Sequence, residues 1–440
     1  VRRLRTIGCT QCSIGGTFVS VVKKEAVTGM RRWHSVHFIL TMVLVSGIIG
    51  GGGMVPVPRA TAAPPLSPAT PVELAIRSKA AVLMDADSGT VLFEKNSHLA
   101  LPPASVTKLM PLLLFMEAVD SGKLNLQDQV TASAYAASMG GSQIFLSPGE
   151  TMTVHELLQA TAVASANDAT VALAEHLAGT EAQFVSLMNE RAQQLGLRET
   201  RFANCTGLPV DDHVFSAHDI AVLSRELLRH SKITQYTGLE QGYLRQGSEK
   251  PFWLVNTNRL VRFYPGVDGL KTGFTDHSGF CLSATAKRGP LRVIAVVMGE
   301  PSAKVRNAEV AEMLDYAFRT YTRRVLYRKG EPIANYQVED GEPERLVLRA
   351  PYEVGVLLKR SEGQPKITTR VSLSDLGAPL KAGQKIGELL VDVGGVRRTS
   401  ILLQTPVAIQ SAGTWEGIKR WFRDLVISED EEEVENKETA

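Results

Sequence analysis

Three short stretches carry residue types that could make and break an acyl bond. In "LPPASVTKLM" Ser105 and Lys108 stand three apart, so on a helix the amine and the hydroxyl share one side and can meet. Following "LPPA", the serine falls in a first helical turn, where free backbone N–H groups favour developing negative charge. An alkylammonium is no base at neutral pH unless burial and a second cation lower its pKa, and Lys271 is a candidate for that cation. "VASANDAT" offers Ser165 and Asn167, and "DGLKTGFTDHSGFCLSATA" offers Lys271, Thr272 and Gly273. The last triplet reads as a strand at a cleft edge, with Gly273 letting a substrate backbone lie close and Thr272 presenting a hydroxyl to an anion. Taken singly these are weak signals. Ser165 and Asn167 also suit a helix-terminal turn, and Ser20 and Lys23 repeat the first spacing without company. The three in order point to nucleophilic serine chemistry.

The elements that must position them follow from periodicity. "AAVLMDADSGTVLFEKN" (80–96) reads as two strands around a turn at Asp85 to Gly89. From 104 to 230 the pattern is helical, with Thr153 and Glu156 as a capping box. Strands return over 252–300, and "KVRNAEVAEMLDYAFRTY" closes the region as a helix. Strands at both ends of a helical middle predict one α+β domain over 76–322 whose sheet recruits both chain ends. Beyond it, short alternating strands separated by Gly and Pro predict a small all-β domain, a sandwich, over 323–410.

The ends of the 440-residue chain differ from its middle. Residues 1–63 read as a leader: Arg31 and Arg32, an apolar run from Phe38 to Ile49 and Ala60-Thr61-Ala62 form a secretory signal, with translation expected to begin at Met30. A retained anchor over Phe38 to Val57 is the alternative. A proline-rich spacer (64–75) follows. "TWEGIKRWFRDLVI" places Trp415, Ile418, Phe422 and Leu425 on one helical face beside Lys419, Arg420 and Arg423, so 411–427 reads as an amphipathic helix, lying on a membrane or packed on the β domain. Residues 428–440 read as an acidic disordered tail. A net charge of +2 gives no field for nucleic acid. Cys9 and Cys12 lack a partner pair for zinc, while Cys205 and Cys281 are expected as buried free thiols rather than a disulfide. His213 and His218, near Asp211, Asp212 and Asp219, are the one cluster with metal-like composition, and neither a metal nor a cofactor is expected there.

The ordered set Ser-x-x-Lys, Ser-x-Asn and Lys-Thr-Gly resembles that of penicillin-binding proteins and serine β-lactamases. Over residues 75–410 the stretches "ASVTKLM", "GSQIFLSPGE", "SANDAT", "FANCTGLP", "SAHDIA" and "DGLKTGFT…GFCLSATAKR" are similar to low-molecular-mass penicillin-binding proteins, the serine-type D-alanyl-D-alanine carboxypeptidases. The resemblance implies an antiparallel sheet with a helical subdomain, followed by the small β domain. It implies an exported enzyme at the extracytoplasmic face of the bacterial membrane or cell wall, which removes the terminal D-alanine from peptidoglycan stem peptides and is covalently inhibited by β-lactam antibiotics. Ser105 is then the nucleophile, Lys108 the general base, Ser165 a proton relay and Asn167 a holder of the peptide. Lys271, Thr272 and Thr275 would bind the terminal carboxylate beside Gly273, and the backbone N–H groups of Ser105 and Phe274 would form the oxyanion hole. Membrane contact by the C-terminal amphipathic helix is favoured by the same resemblance. Two rivals stay open, a serine β-lactamase and a non-hydrolysing β-lactam sensor. The first needs a deacylating glutamate, and none is identifiable between Asn167 and Lys271. Pro111, inside the helix that carries Ser105, is expected to kink it near the lysine.

Overall fold

In the computed structural model, residues 74–338, 341–374 and 377–411 are described. The expected leader, most of the proline-rich spacer, the amphipathic stretch 414–427 and the acidic tail lie outside them.

Five antiparallel strands form the central sheet, in the order Val91–Lys95, Ala80–Asp85, Leu291–Glu300, Gly279–Arg288, Val267–Thr275. The strands from the start of the region thus lie beside those from its end, as an α+β domain of this pattern requires. Their apolar residues alternate between two cores. Val82, Met84, Ile294, Val296 and Met298 face the helical side, while Ala81, Leu83, Val293, Ala295 and Val297 face the helix Ala303–Thr320. Burial on both faces explains why these strands read as nearly continuous apolar runs.

The helix Leu109–Asp120 crosses the first core, with Leu109, Leu112, Leu113, Phe115 and Met116 fully buried. At roughly 1.5–3 kcal/mol for each such side chain, it is a stiff support for what precedes it. It does not begin at Ser105. A 3-10 turn, Ala104–Lys108, comes first, so Pro111 falls in the opening turn of the α-helix, where its missing N–H costs little. The expected kink beside the lysine is therefore corrected. Thr153 and Glu156 form the capping box that opens the helix Val154–Gln159. A π-type turn, Ala160–Ala164, extends it, and Ser165 ends that turn in the left-handed region at φ 63°.

After residue 320 paired strands take over. Tyr321–Tyr327 pairs with Val354–Lys359, Pro332–Gln337 with Arg345–Arg349, and Ile367–Leu373, Lys385–Val393 and Val396–Gln404 form a three-stranded sheet. Leu346, Leu348, Val356, Leu389, Val391, Ile401 and Leu403 share one core of their own. Arg323, almost fully buried, ties this region to the main sheet: its guanidinium meets Asp87 at 3.1 Å and Glu353 at 2.7 Å. Cys205 and Cys281 are buried free thiols. Among the described residues no helix is long and apolar enough to cross a membrane.

Candidate active site

Ser105 and Lys108 lie on the 3-10 turn, where side chains three apart eclipse. Lys108 Nζ donates to Ser105 Oγ at 3.0 Å and to the Thr206 carbonyl at 2.6 Å. The lysine is fully buried, and that desolvation brings its pKa down from 10.5 to about 7. Asp168 is near enough to oppose the fall, which burial outweighs. The carbonyl of Thr206, a position the sequence reading did not assign, points the amine at the hydroxyl.

The second motif is built by its backbone. Ser165 is nearly buried, its Oγ has no partner, and it faces the same cleft as Ser105. Two residues on, Asn167 opens the helix Asn167–Ala178. Its Nδ2 donates to the Gly140 carbonyl at 2.6 Å, while its Oδ1 is buried and unpaired, an acceptor held ready for an N–H. Buried Asp168 fixes the facing loop by accepting from the N–H groups of Ile144, at 3.1 Å, and Leu146, at 3.0 Å.

Strand Val267–Thr275 brings the third motif against the turn that carries Ser105. A Cβ on Gly273 would stand 2.7 Å from the Pro103 carbonyl oxygen and 3.0 Å from the Val106 nitrogen. Gly273 is required by the turn behind it, and it also lines the cleft. Lys271 is buried, with Nζ donating to the Thr272 carbonyl at 3.1 Å. Burial, then the neighbouring charges of Lys108 and Arg306, push its pKa well below the ordinary lysine value. Thr272 Oγ1 donates to Thr257 Oγ1 at 2.7 Å, and both residues line the cleft.

Thr275 ends the same strand. Its N–H and hydroxyl meet Ser278 Oγ at 2.9 and 2.8 Å across the turn to the next strand, and it lines a separate pocket with His277 and Pro103. Phe274 lines the cleft, half exposed, with its ring stacked on Phe280 at 4.1 Å between centroids. Asp268 pairs with Arg292 at 2.6 and 2.7 Å.

Ser105, Ser142, Ser165, Thr257, Thr272 and Phe274 wall an open cleft of about 890 Å³. Arg306 lines it too. It is nearly buried, with Nε and Nη2 donating to Asn307 Oδ1 at 3.1 and 3.0 Å, and burial lowers its pKa to about 10. The sequence reading missed it, although Arg306 shares a helical face with buried Val310, Met313 and Ala317, an odd place for a guanidinium. Four segments distant in sequence thus set a hydroxyl, a titratable amine, unpaired polar atoms and two cations around one cleft. Among the described residues no cluster could hold a metal ion. His213 is bonded to Thr107 and Ala203, and His218 stacks on His98.

The sequence model of a family described as "D-alanyl-D-alanine carboxypeptidase" matches residues 66–302, and that of "Penicillin-binding protein 5, C-terminal domain" matches 321–410. The chain is 45% identical over 357 residues to the D-alanyl-D-alanine carboxypeptidase DacF of Bacillus subtilis (strain 168), covering 80% of this chain and 91% of the relative. It is 34% identical to DacD of Escherichia coli (strain K12), covering 74% and 84%. Among solved structures, penicillin binding protein 5 from Haemophilus influenzae aligns with TM-score 0.64 at 30% identity, over 78% of this chain and 99% of that one.

Proposed function

We propose, on the premise that the chain belongs to the D-alanyl-D-alanine carboxypeptidase family, that Ser105 is the hydroxyl acylated in each turnover. The chain is a serine-type carboxypeptidase of the low-molecular-mass penicillin-binding proteins. It removes the terminal D-alanine from peptidoglycan stem peptides outside the cytoplasm and reacts with β-lactams. The observation that carries the residue assignment is a fully buried lysine amine 3.0 Å from Ser105 Oγ, its pKa brought down to about 7 by desolvation.

As the neutral amine, Lys108 accepts the Ser105 proton while Oγ bonds to the penultimate D-alanine carbonyl carbon. The carbonyl oxygen gains negative charge, which the N–H groups of Ser105 and Phe274 receive. The C–N bond then breaks, and the departing D-alanine nitrogen takes the proton from Lys108 by way of Ser165. Water attacks the ester with Lys108 again as base, and Ser105 is restored. Asn167 Oδ1, free and buried, accepts from the substrate backbone. Thr272, Lys271 and Arg306 take the terminal carboxylate.

The reading extends to domains at 76–322 and 323–410, and to contact of 414–427 with the membrane surface. That contact is supported by the apolar face of Trp415, Ile418, Phe422 and Leu425 and its basic flank. Flotation with anionic liposomes tests it: the full chain floats and a chain ending at 411 stays below. Release of D-alanine from diacetyl-lysyl-D-Ala-D-Ala tests the main assignment. The full chain releases it and Ser105→Ala falls to background. Catalytic turnover of penicillin would indicate a β-lactamase instead, and acylation without D-alanine release a sensor.

A further inference from the structure

The side of the nucleophile turn away from the cleft holds a chain of hydrogen bonds that the mechanism above leaves unused. Ala104, just before the nucleophile, has φ 47°, a left-handed conformation that an alanine keeps only when its surroundings impose it. Its carbonyl accepts from Thr107 Oγ1 at 2.7 Å. Thr107 Oγ1 lies 2.8 Å from His213 Nε2, and His213 Nδ1 accepts from the Ala203 N–H at 3.1 Å. Because Ala203 can only donate, Nδ1 carries no proton, so the proton of the neutral ring is on Nε2 and is given to Thr107. Thr107, its lone pair occupied, turns its own proton onto Ala104. Every direction in the chain is thereby set. Thr107 is fully buried and His213 nearly so, and burial, then the charge of Lys108, hold the imidazole neutral with a pKa of about 4.

The Ala104 carbonyl and the Ser105 N–H are opposite ends of one planar peptide unit. Pinning the oxygen aims the N–H. We propose that His213 is a positioning residue for the oxyanion hole, fixing the Ala104–Ser105 peptide from behind through Thr107. This rests on the reading of Ser105 as nucleophile. The segment that carries Ala203 also supplies the Thr206 carbonyl bonded to Lys108, so one loop holds both the base and the oxyanion donor.

The test uses the full chain with His213→Gln, His213→Asn, Thr107→Val and Ser105→Ala. A glutamine amide nitrogen reaches where Nε2 donates. Asparagine replaces only the acceptor toward Ala203, and valine keeps the shape of threonine without its hydroxyl. Three quantities are measured: kcat and KM for diacetyl-lysyl-D-Ala-D-Ala, affinity for a peptide boronic acid that becomes a tetrahedral anion on Ser105, and affinity for the product diacetyl-lysyl-D-Ala. His213→Asn and Thr107→Val are expected to lower kcat and boronate affinity together, by about 10–100-fold, less than outright loss of an oxyanion donor, with KM and product affinity nearly unchanged. His213→Gln restores both to within about threefold, because the donor to Thr107 returns. Equal damage from glutamine and asparagine, or undiminished boronate affinity in Thr107→Val, overturns the proposal. If His213→Asn does not fold, Thr107→Val against the unaltered chain decides. A boronate adduct that survives Ser105→Ala would remove the nucleophile assignment itself, a different outcome from an adduct that needs Ser105 but ignores His213.

Discussion

Replacing Lys108 with methionine should destroy the enzyme and stabilise the protein. The lysine is fully buried and its pKa falls from 10.5 to about 7, chiefly by desolvation. That drop corresponds to roughly 5 kcal/mol that folding spends on keeping the amine in place near neutrality. Methionine fills a similar volume without it, but strands the Thr206 carbonyl and loses a hydrogen bond, returning about 2–3 kcal/mol. The net gain is about 2 kcal/mol, or roughly 4–8 °C in melting temperature for a domain of this size. The sign with pH is fixed. Between the folded value of about 7 and the unfolded value of 10.5, the unfolded chain binds more protons, so the unaltered protein gains stability as pH rises. The advantage of Lys108→Met is therefore largest at and below pH 7 and shrinks by about 1.4 kcal/mol per pH unit above it. Paired thermal melts from pH 6 to 10 (reversible conditions, matched salt) read it directly. A variant less stable at pH 7, or a difference that does not change with pH, would refute the reasoning.

The same lysine sets an activity profile: the acylation rate with penicillin should rise along a limb with apparent pKa about 7, and at pH 5 be about 50-fold slower than at pH 7. Stopped-flow acylation checks this, and a flat profile from pH 5 to 8 would count against Lys108 as base. Arg306→Gln should raise KM for the peptide about 10-fold or more by removing a charged partner of the carboxylate, while an amidated peptide, already a poor substrate, is little affected. Equal losses on both peptides would place Arg306 in folding alone. Gly207→Ala would drive a Cβ into the Ala104 carbonyl oxygen at a φ of 82°, so it should cost roughly 3 kcal/mol and slow acylation. Denaturant melts with acylation kinetics read both effects.

Much of this architecture is legible in the sequence because it is local or periodic. Ser105 and Lys108 are bound by i,i+3 spacing, the capping box at Thr153 needs only four residues, and strands at both ends of a helical middle announce a sheet that recruits both chain ends. What could not be read lies in contacts between distant segments. The reason for Gly273 is visible only once the strand lies on Pro103 and Val106. Thr275 is set beside Thr272 only by the family resemblance, and its bond to Ser278 across the turn leaves no mark in spacing. Arg306 sits 35 positions beyond Lys271 and belongs to the cleft only through the packing of its helix on the sheet. Metal-like composition drew attention to His213, yet its partners are a hydroxyl and a backbone N–H, and neither leaves a mark in composition.

The central claim is that one hydroxyl, Ser105, becomes an ester. Mass spectrometry of the intact chain after brief exposure to benzylpenicillin, followed by mapping of the modified peptide, tests it most directly. One adduct per chain, located on Ser105 and absent from Ser105→Ala, is the expected result. An adduct of the same mass on another residue, or one that persists in Ser105→Ala, would contradict it.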